Sequence, residues 1–268
     1  LQENPKLITE GTKKDVSIVF TDLRGFTPLG ESFGDDVKGL TDIMNGYMDA
    51  ISQPVLDADG MIIKYIGDAS MHIHNAPIND NQHEKTAVLT GLKMLKAVEK
   101  FNEEIVIPAG RPPVGMGLGY VGEMGSTARH SYDILGDAVS TAARLESACK
   151  GYGVLLIVGP STYEATKEDF FYLKLDCLAV KGKTVGLDIY TVIDDTRGID
   201  PMCKKYHEAM HQYYSEQDFD NAIRLAVMLK GFEIELNDYY DMWIDRCEFM
   251  KTQFLPEDWD GIFRATTK

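Results

Sequence analysis

Phe20–Leu29 reads "FTDLRGFTPL", and the way this stretch is parsed decides the fold. Upstream, "VSIVFT" (Val16–Thr21) is a continuous apolar, β-branched run, the pattern of a central strand buried on both faces. The run ends on a carboxylate, Asp22, then passes through Arg24 and Gly25 toward a helix. "IIKYIGDAS" repeats the device, closing a second apolar strand on Asp68. An Asp in a turn is ordinary. Two of them, each ending an apolar strand at the same sheet edge, point to converging oxygen donors for hard cations such as Mg²⁺ or Mn²⁺. Two such cations suit phosphoryl transfer. Gly25, Phe26 and Thr27 then open a helix whose free amides suit phosphate oxygens.

Outward from this stretch the periodicity changes. Leu40, Ile43, Met44, Tyr47, Met48, Ile51 and Val55 recur at helical spacing and predict an amphipathic helix. "MIIKYI" and "SMHIHN" predict a hairpin joined at Gly67-Asp68. A second helix is expected over 82–103, and short glycine-rich strands forming a hairpin within 114–126. "YDILGDAVSTAARLESACKGYG" starts as a strand and continues as a helix, with Asp137 as N-cap candidate and Gly151 or Gly153 at its end. "VLLIVG", "FYLKLDCLAVKGK" and "VGLDIYTVI" supply the last strands. The order predicts an α+β fold: a ferredoxin-like (palm-type) mixed sheet with helices on one face.

Residues 1–14 read as an N-terminal arm, 15–193 as the main domain, and 194–268 as a C-terminal all-α extension with three helical patterns. "YHEAMHQYYSEQDFDNAIRLAVML" resembles one helix pair of a tetratricopeptide array. A single pair cannot bury its own face, so a cap on the main domain or on a dimer partner is expected.

Lys and Arg number 27 against 42 Asp and Glu, a net charge of −15. That balance argues against nucleic acid or an anionic membrane as partner; a polyphosphate would need metal ions and a few placed cations. Cys149, Cys177, Cys203 and Cys247 form no CxxC and are expected to be reduced thiols. His72, His74 and His83 lack the ligand spacing of a zinc site; His72 and His74 alternate on one strand, and that pair is expected to pack under the site. No apolar run approaches the ~20 residues of a membrane helix. The chain starts at Leu1 rather than Met, and is expected to be a piece of a longer protein.

Four segments, "VFTDLRGFT", "GMIIKYIGDASM", "YDILGDAVSTAARLES" and "VKGK", resemble in order and spacing the catalytic domains of class III nucleotidyl cyclases. The resemblance covers about Asp15 to Ile193. It implies an adenylate cyclase that converts ATP to cyclic AMP and pyrophosphate in a head-to-tail homodimer with shared sites, using two Mg²⁺ or Mn²⁺ ions per site. Carried over residue by residue, the metal ligands fall on Asp22 and Asp68, with Leu23 as an additional ligand position. The base-reading pair falls on Lys64 and Asp133, the transition-state arginine on Arg144, and the lysine for the terminal phosphates on Lys181, or Lys183 in a shifted register. A Lys donor and an Asp acceptor match the N1 and N6 edge of adenine. Guanylyl cyclases resembling this chain use Glu with Cys or Ser there. The tail "LPEDWDGIFRATTK" is similar to those of bacterial receptor cyclases with a CHASE-type sensor, which implies a cytoplasmic domain with sensor and membrane segments upstream.

Two departures stand out. Ser140 occupies the place of the family's ribose-orienting Asn, and the glycine-rich segment is about four residues shorter than in relatives. A weakened, dimerising signal relay and a guanylate cyclase therefore remain as alternatives. Asp22, Asp68 and Arg144 weigh against the first, Lys64 and Asp133 against the second.

Overall fold

The structure, a computed structural model, describes residues 12–128, 134–135, 137–178, 186–193, 199–232, 234–256 and 259–263. Eight strands form one mixed sheet: β1 (Thr12–Arg24), β2 (Met61–Ile66), β3 (Ala69–His74), β4 (Gly115–Ala128), β5 (Ile134–Leu135), β6 (Leu156–Val158), β7 (Phe171–Leu178) and β8 (Leu187–Ile193). Their order is β2-β3-β1-β4-β6-β8-β7, with β5 paired to β4. Among the described strands only β4 and β6 pair in parallel. The helices are α1 (Phe26–Phe33), α2 (Val37–Asp57), α3 (His83–Phe101), α4 (Asp137–Tyr152), α5 (Pro160–Thr166), α6 (Pro201–Ser215), α7 (Phe219–Leu229) and α8 (Asn237–Met250). None of the described helices is long and apolar enough to cross a membrane.

β1 starts at Thr12, so its first residues come from the stretch read as an arm. It lies between β3 and β4, and its side chains alternate between two cores. Val16 and Ile18 join one cluster with α4, α6, α7 and α8. Val19 and Leu23 join another with α1, α2 and α3. Helices thus cover both faces of the sheet, not one. A strand with no polar alternation needs cover on each side, and the C-terminal helices supply much of the second layer. Their apolar faces close onto this sheet through Met210, Leu225, Tyr239 and Trp243, all buried with Leu173 and Leu175 of β7.

The glycine-rich segment is not a hairpin of short strands. It is a single 14-residue strand paired with β1 along its length. Its glycines serve a close approach: a Cβ on Gly119 would sit 2.3 Å from the Glu146 nitrogen and 2.4 Å from the Ala142 carbonyl. Helix α4 therefore rests on β4 backbone to backbone. All four cysteines are free thiols.

Candidate active site

Asp22 lies on the face of β1 that carries Val16 and Ile18, opposite Gly117 of β4. Two residues on, Arg24 follows on the same face, and its Nη2 donates to the Val154 carbonyl at 2.9 Å. The strand stops there because Gly25 takes a left-handed turn, φ +85, that a side chain disfavours. Helix α1 begins at once. Leu29 donates its first internal hydrogen bond, to the Gly25 carbonyl at 3.1 Å, and Pro28 has no N–H. The Phe26 and Thr27 amides therefore head the helix without intrahelical acceptors, beside Asp22 in the chain.

Asp68 sits in the two-residue turn between β2 and β3, whose first member, Gly67, has φ +67. Glycine is the residue such a tight turn favours. Asp22 feels this second carboxylate: burial first, then the Asp68 charge, raises its pKa above the usual range. A third acid joins them. Glu146 of α4 is pushed up to about 7 by burial, then by Asp22, with Arg24 pulling the other way and Asp68 adding to the rise. Its Oε1 lies 2.9 Å from where a Gly117 Cβ would be, and Arg24 Nη2 lies 3.1 Å from the same point. The missing side chain of Gly117 thus leaves the space in which Arg24 and Glu146 sit beside Asp22.

Burial and neighbouring negative charge hold Asp22 and Glu146 back from ionising, and Arg24 offsets only part of that effect. All-oxygen donors at the end of a sheet fit hard divalent cations. Asp22, the Leu23 backbone and Asp68 have the chemistry to hold them, with Glu146 as a further acid nearby.

Other predicted residues stand apart. Lys64 is exposed on the edge strand β2, next to Tyr65 and Ile66, which are 49% and 50% exposed. Ser140 and Arg144 share the exposed stripe of α4, four residues apart, while Ala138, Ala142, Leu145 and Cys149 form its buried stripe. Arg144 precedes Glu146 by two positions, about 200° around the helix, so it projects away from Gly117 and Asp22. Asp133, Lys181 and Lys183 lie outside the described residues. His72 and His74 pack edge to face at 5.5 Å on the α2–α3 side, and His83 Nδ1 bonds Ser17 at 2.9 Å. Among the described residues no cluster of three ligand-type side chains has metal-binding geometry.

Arg24, Gly117 and Glu146 were not singled out from the sequence. Strand alternation places Arg24 on the Asp22 face, but pairing it with Glu146 requires the β1–β4 register and the seat of α4.

Residues 8–194 match the family described as the adenylate and guanylate cyclase catalytic domain. Adenylate cyclase 1 of Rhizobium meliloti is 30% identical over 192 residues, 70% of this chain and 29% of that protein. The terminal-differentiation-specific adenylate cyclase of Dictyostelium discoideum is 33% identical over 192 residues, 69% of this chain and 9% of its own length. The chain thus spans under a third of these curated relatives. The crystal structure of the adenylyl cyclase CyaB from P. aeruginosa superposes with a TM-score of 0.62 at 27% identity, covering 71% of this chain and all of that one. The guanylyl cyclase Cya2 shares the fold, with a TM-score of 0.59 at 22% identity over 69% of this chain and 94% of the other. Helices α6 to α8 fall beyond the matched residues. With its strand-end carboxylates, its α4 stripe and most of its length matched, the chain belongs to the class III adenylate and guanylate cyclase family.

Proposed function

We propose that this chain is an adenylate cyclase that converts ATP to cyclic AMP and pyrophosphate in sites shared by two copies. The observation that carries this reading is the divergence within one chain. Asp22 and Asp68 converge at one sheet end, whereas Ser140 and Arg144 face outward on α4. A site that needs both sets is completed by a second copy in head-to-tail contact.

Asp22, Asp68 and the Leu23 carbonyl would hold two Mg²⁺ or Mn²⁺ ions, which when bound supply acidity to the ribose 3′-hydroxyl and charge for the triphosphate. The Phe26 and Thr27 amides hold phosphate oxygens at the α1 N-terminus. From the other chain, Lys64 donates to adenine N1 and Asp133 accepts from the N6 amine. Arg144 faces the α-phosphate, where charge builds as the 3′-oxygen attacks and pyrophosphate leaves. Ser140 orients the ribose through a water, and Lys181 binds the terminal phosphates. ATP, rather than GTP, follows from the Lys64 and Asp133 pair. The half-exposed Tyr65 and Ile66 beside Lys64 suit the same contact between copies.

Incubating the chain with ATP or GTP and Mn²⁺, and quantifying the cyclic product by chromatography, tests this. Cyclic AMP from ATP is expected. Faster cyclic GMP formation from GTP reverses the specificity, and no product from either, with the dimer intact, sinks the reading.

A further inference from the structure

The family match ends at residue 194, yet α8 grips the unit that the match covers. Arg246 of α8 sets its Nη1 2.5 Å from Oδ2 of Asp176 on β7, and the Tyr152 hydroxyl donates to that same oxygen at 2.5 Å. The ion pair is out of water: its side chains are 8% and 6% exposed. Trp243 and Phe263 lie against the guanidinium, their ring centres 4.6 and 4.7 Å from its carbon.

Tyr152 is the last residue of α4. Gly153 follows with φ +62, and a Cβ there would lie 2.5 Å from the Asp238 Cβ and 3.1 Å from the Tyr239 nitrogen at the start of α8. The end of α4 is thus held by α8 at two points. Its middle is held by the close approach to Gly119. A helix is stiff over such a length, so these anchors set its tilt, and with it the stripe bearing Ser140 and Arg144 two to three turns away. An ion pair this buried adds little net stability over an apolar trio of the same shape, but its directional bonds select one arrangement.

We propose that Arg246 is a positioning residue for cyclisation: by binding Asp176, and through it Tyr152, it fixes the angle at which α4 presents Ser140 and Arg144. This rests on reading the centre as a cyclase site shared between chains. The extension is then part of the catalytic apparatus, acting on the helix that serves the partner's carboxylates.

The experiment uses two full-length chains, Asp22→Ala and Arg144→Ala, mixed so that each heterodimer has one complete site. In that site the Asp22→Ala chain supplies Arg144, and the Arg144→Ala chain supplies the carboxylates. Arg246→Met is added to one chain or the other. Placed in the chain that supplies Arg144, it is expected to lower recovered activity about three- to thirtyfold more than in the other chain. Equal losses mean that Arg246 is only structural support, and no loss in either arm means that α8 does not position α4. Either result overturns the proposal. Recovery by the parent mixture separately decides the shared-site reading.

Hydrogen exchange gives a readout independent of activity. Arg246→Met alone should speed amide exchange across 138–145 while leaving α2 and α3 unchanged; an unaltered 138–145 overturns the proposal. If Arg246→Met does not fold, Arg246→Lys, which keeps the charge but loses the planar fork, takes its place in every arm.

Discussion

Under α2 and α3 the sheet buries His72 and His74, and among the described residues none of their ring nitrogens has a hydrogen-bond partner. Under α6 and α8 it buries His207 in a connected network. His207 Nε2 donates to the Lys174 carbonyl at 2.6 Å, and Nδ1 accepts from the Tyr240 hydroxyl at 3.0 Å. His211 Nε2 donates to the Tyr239 hydroxyl at 3.0 Å, which in turn donates to the Leu175 carbonyl at 2.7 Å. One face packs imidazoles as if they were apolar. The other uses them to tie helices to strand β7. The difference separates filling a core from specifying an arrangement: losing a bare polar group costs little, whereas losing one partner of a network strands the other.

The largest effect is expected at the strand end rather than in either core. Asp22→Ala or Asp68→Ala should reduce cyclase activity by about a thousandfold or to background, with the fold and dimer intact by circular dichroism and sedimentation. Substantial residual turnover would remove both from the proposed metal set.

Gly119→Ala is next, and it attacks the seat of α4. The added methyl meets helix backbone, which cannot swing aside as a side chain can. A loss of about 1–3 kcal/mol in denaturant stability is expected, together with reduced turnover.

The histidine contrast predicts opposite outcomes for one substitution. His207→Leu should cost about 1–3 kcal/mol at pH 7, because the Tyr240 hydroxyl and Lys174 carbonyl lose their partner. His74→Leu should be neutral or stabilising. Equal penalties would erase the distinction between the faces.

Acid should act on both faces. Burial lowers the pKa of His74 and of His207 to about 4. Unfolded, each binds a proton near pH 6.5, so below that pH the unfolded chain is the more protonated. Stability is therefore full above about 6.5 and falls toward pH 4, by up to about 1.4 kcal/mol per pH unit for each histidine. Melting curves from pH 7 to 5 should show this loss, and His74→Leu should make it shallower. The smallest effect is expected from Ser140→Asn, which restores the longer amide on the outward stripe of α4. It should raise kcat a few-fold (~2–5) without changing stability.

Much of this was legible in the sequence. The Val16–Thr21 run announced a strand buried on both faces, and β1 is central. The Gly67-Asp68 turn and the amphipathic helix expected from Leu40 to Val55 are both present, as are three C-terminal helices. The single-faced layer failed because local periodicity does not reveal what a distant segment will cover. The glycine-rich 114–126 segment predicts short strands in a hairpin rather than one long strand, because glycine's two uses, turning and close approach, look alike without the partner helix. The place of Glu146 beside Asp22 is hidden for the same reason: it depends on a register between β1, β4 and α4 that no single segment encodes.

The shared-site account stands on the divergence of Asp22 and Arg144. Its most direct measurement is cyclic AMP production by an equal mixture of Asp22→Ala and Arg144→Ala chains, with heterodimer content followed by native mass spectrometry. Each chain alone should be inactive. The mixture should recover about a quarter of wild-type activity, since half the dimers are mixed and each holds one complete site of two. Heterodimers that form but make no cyclic AMP would contradict the account.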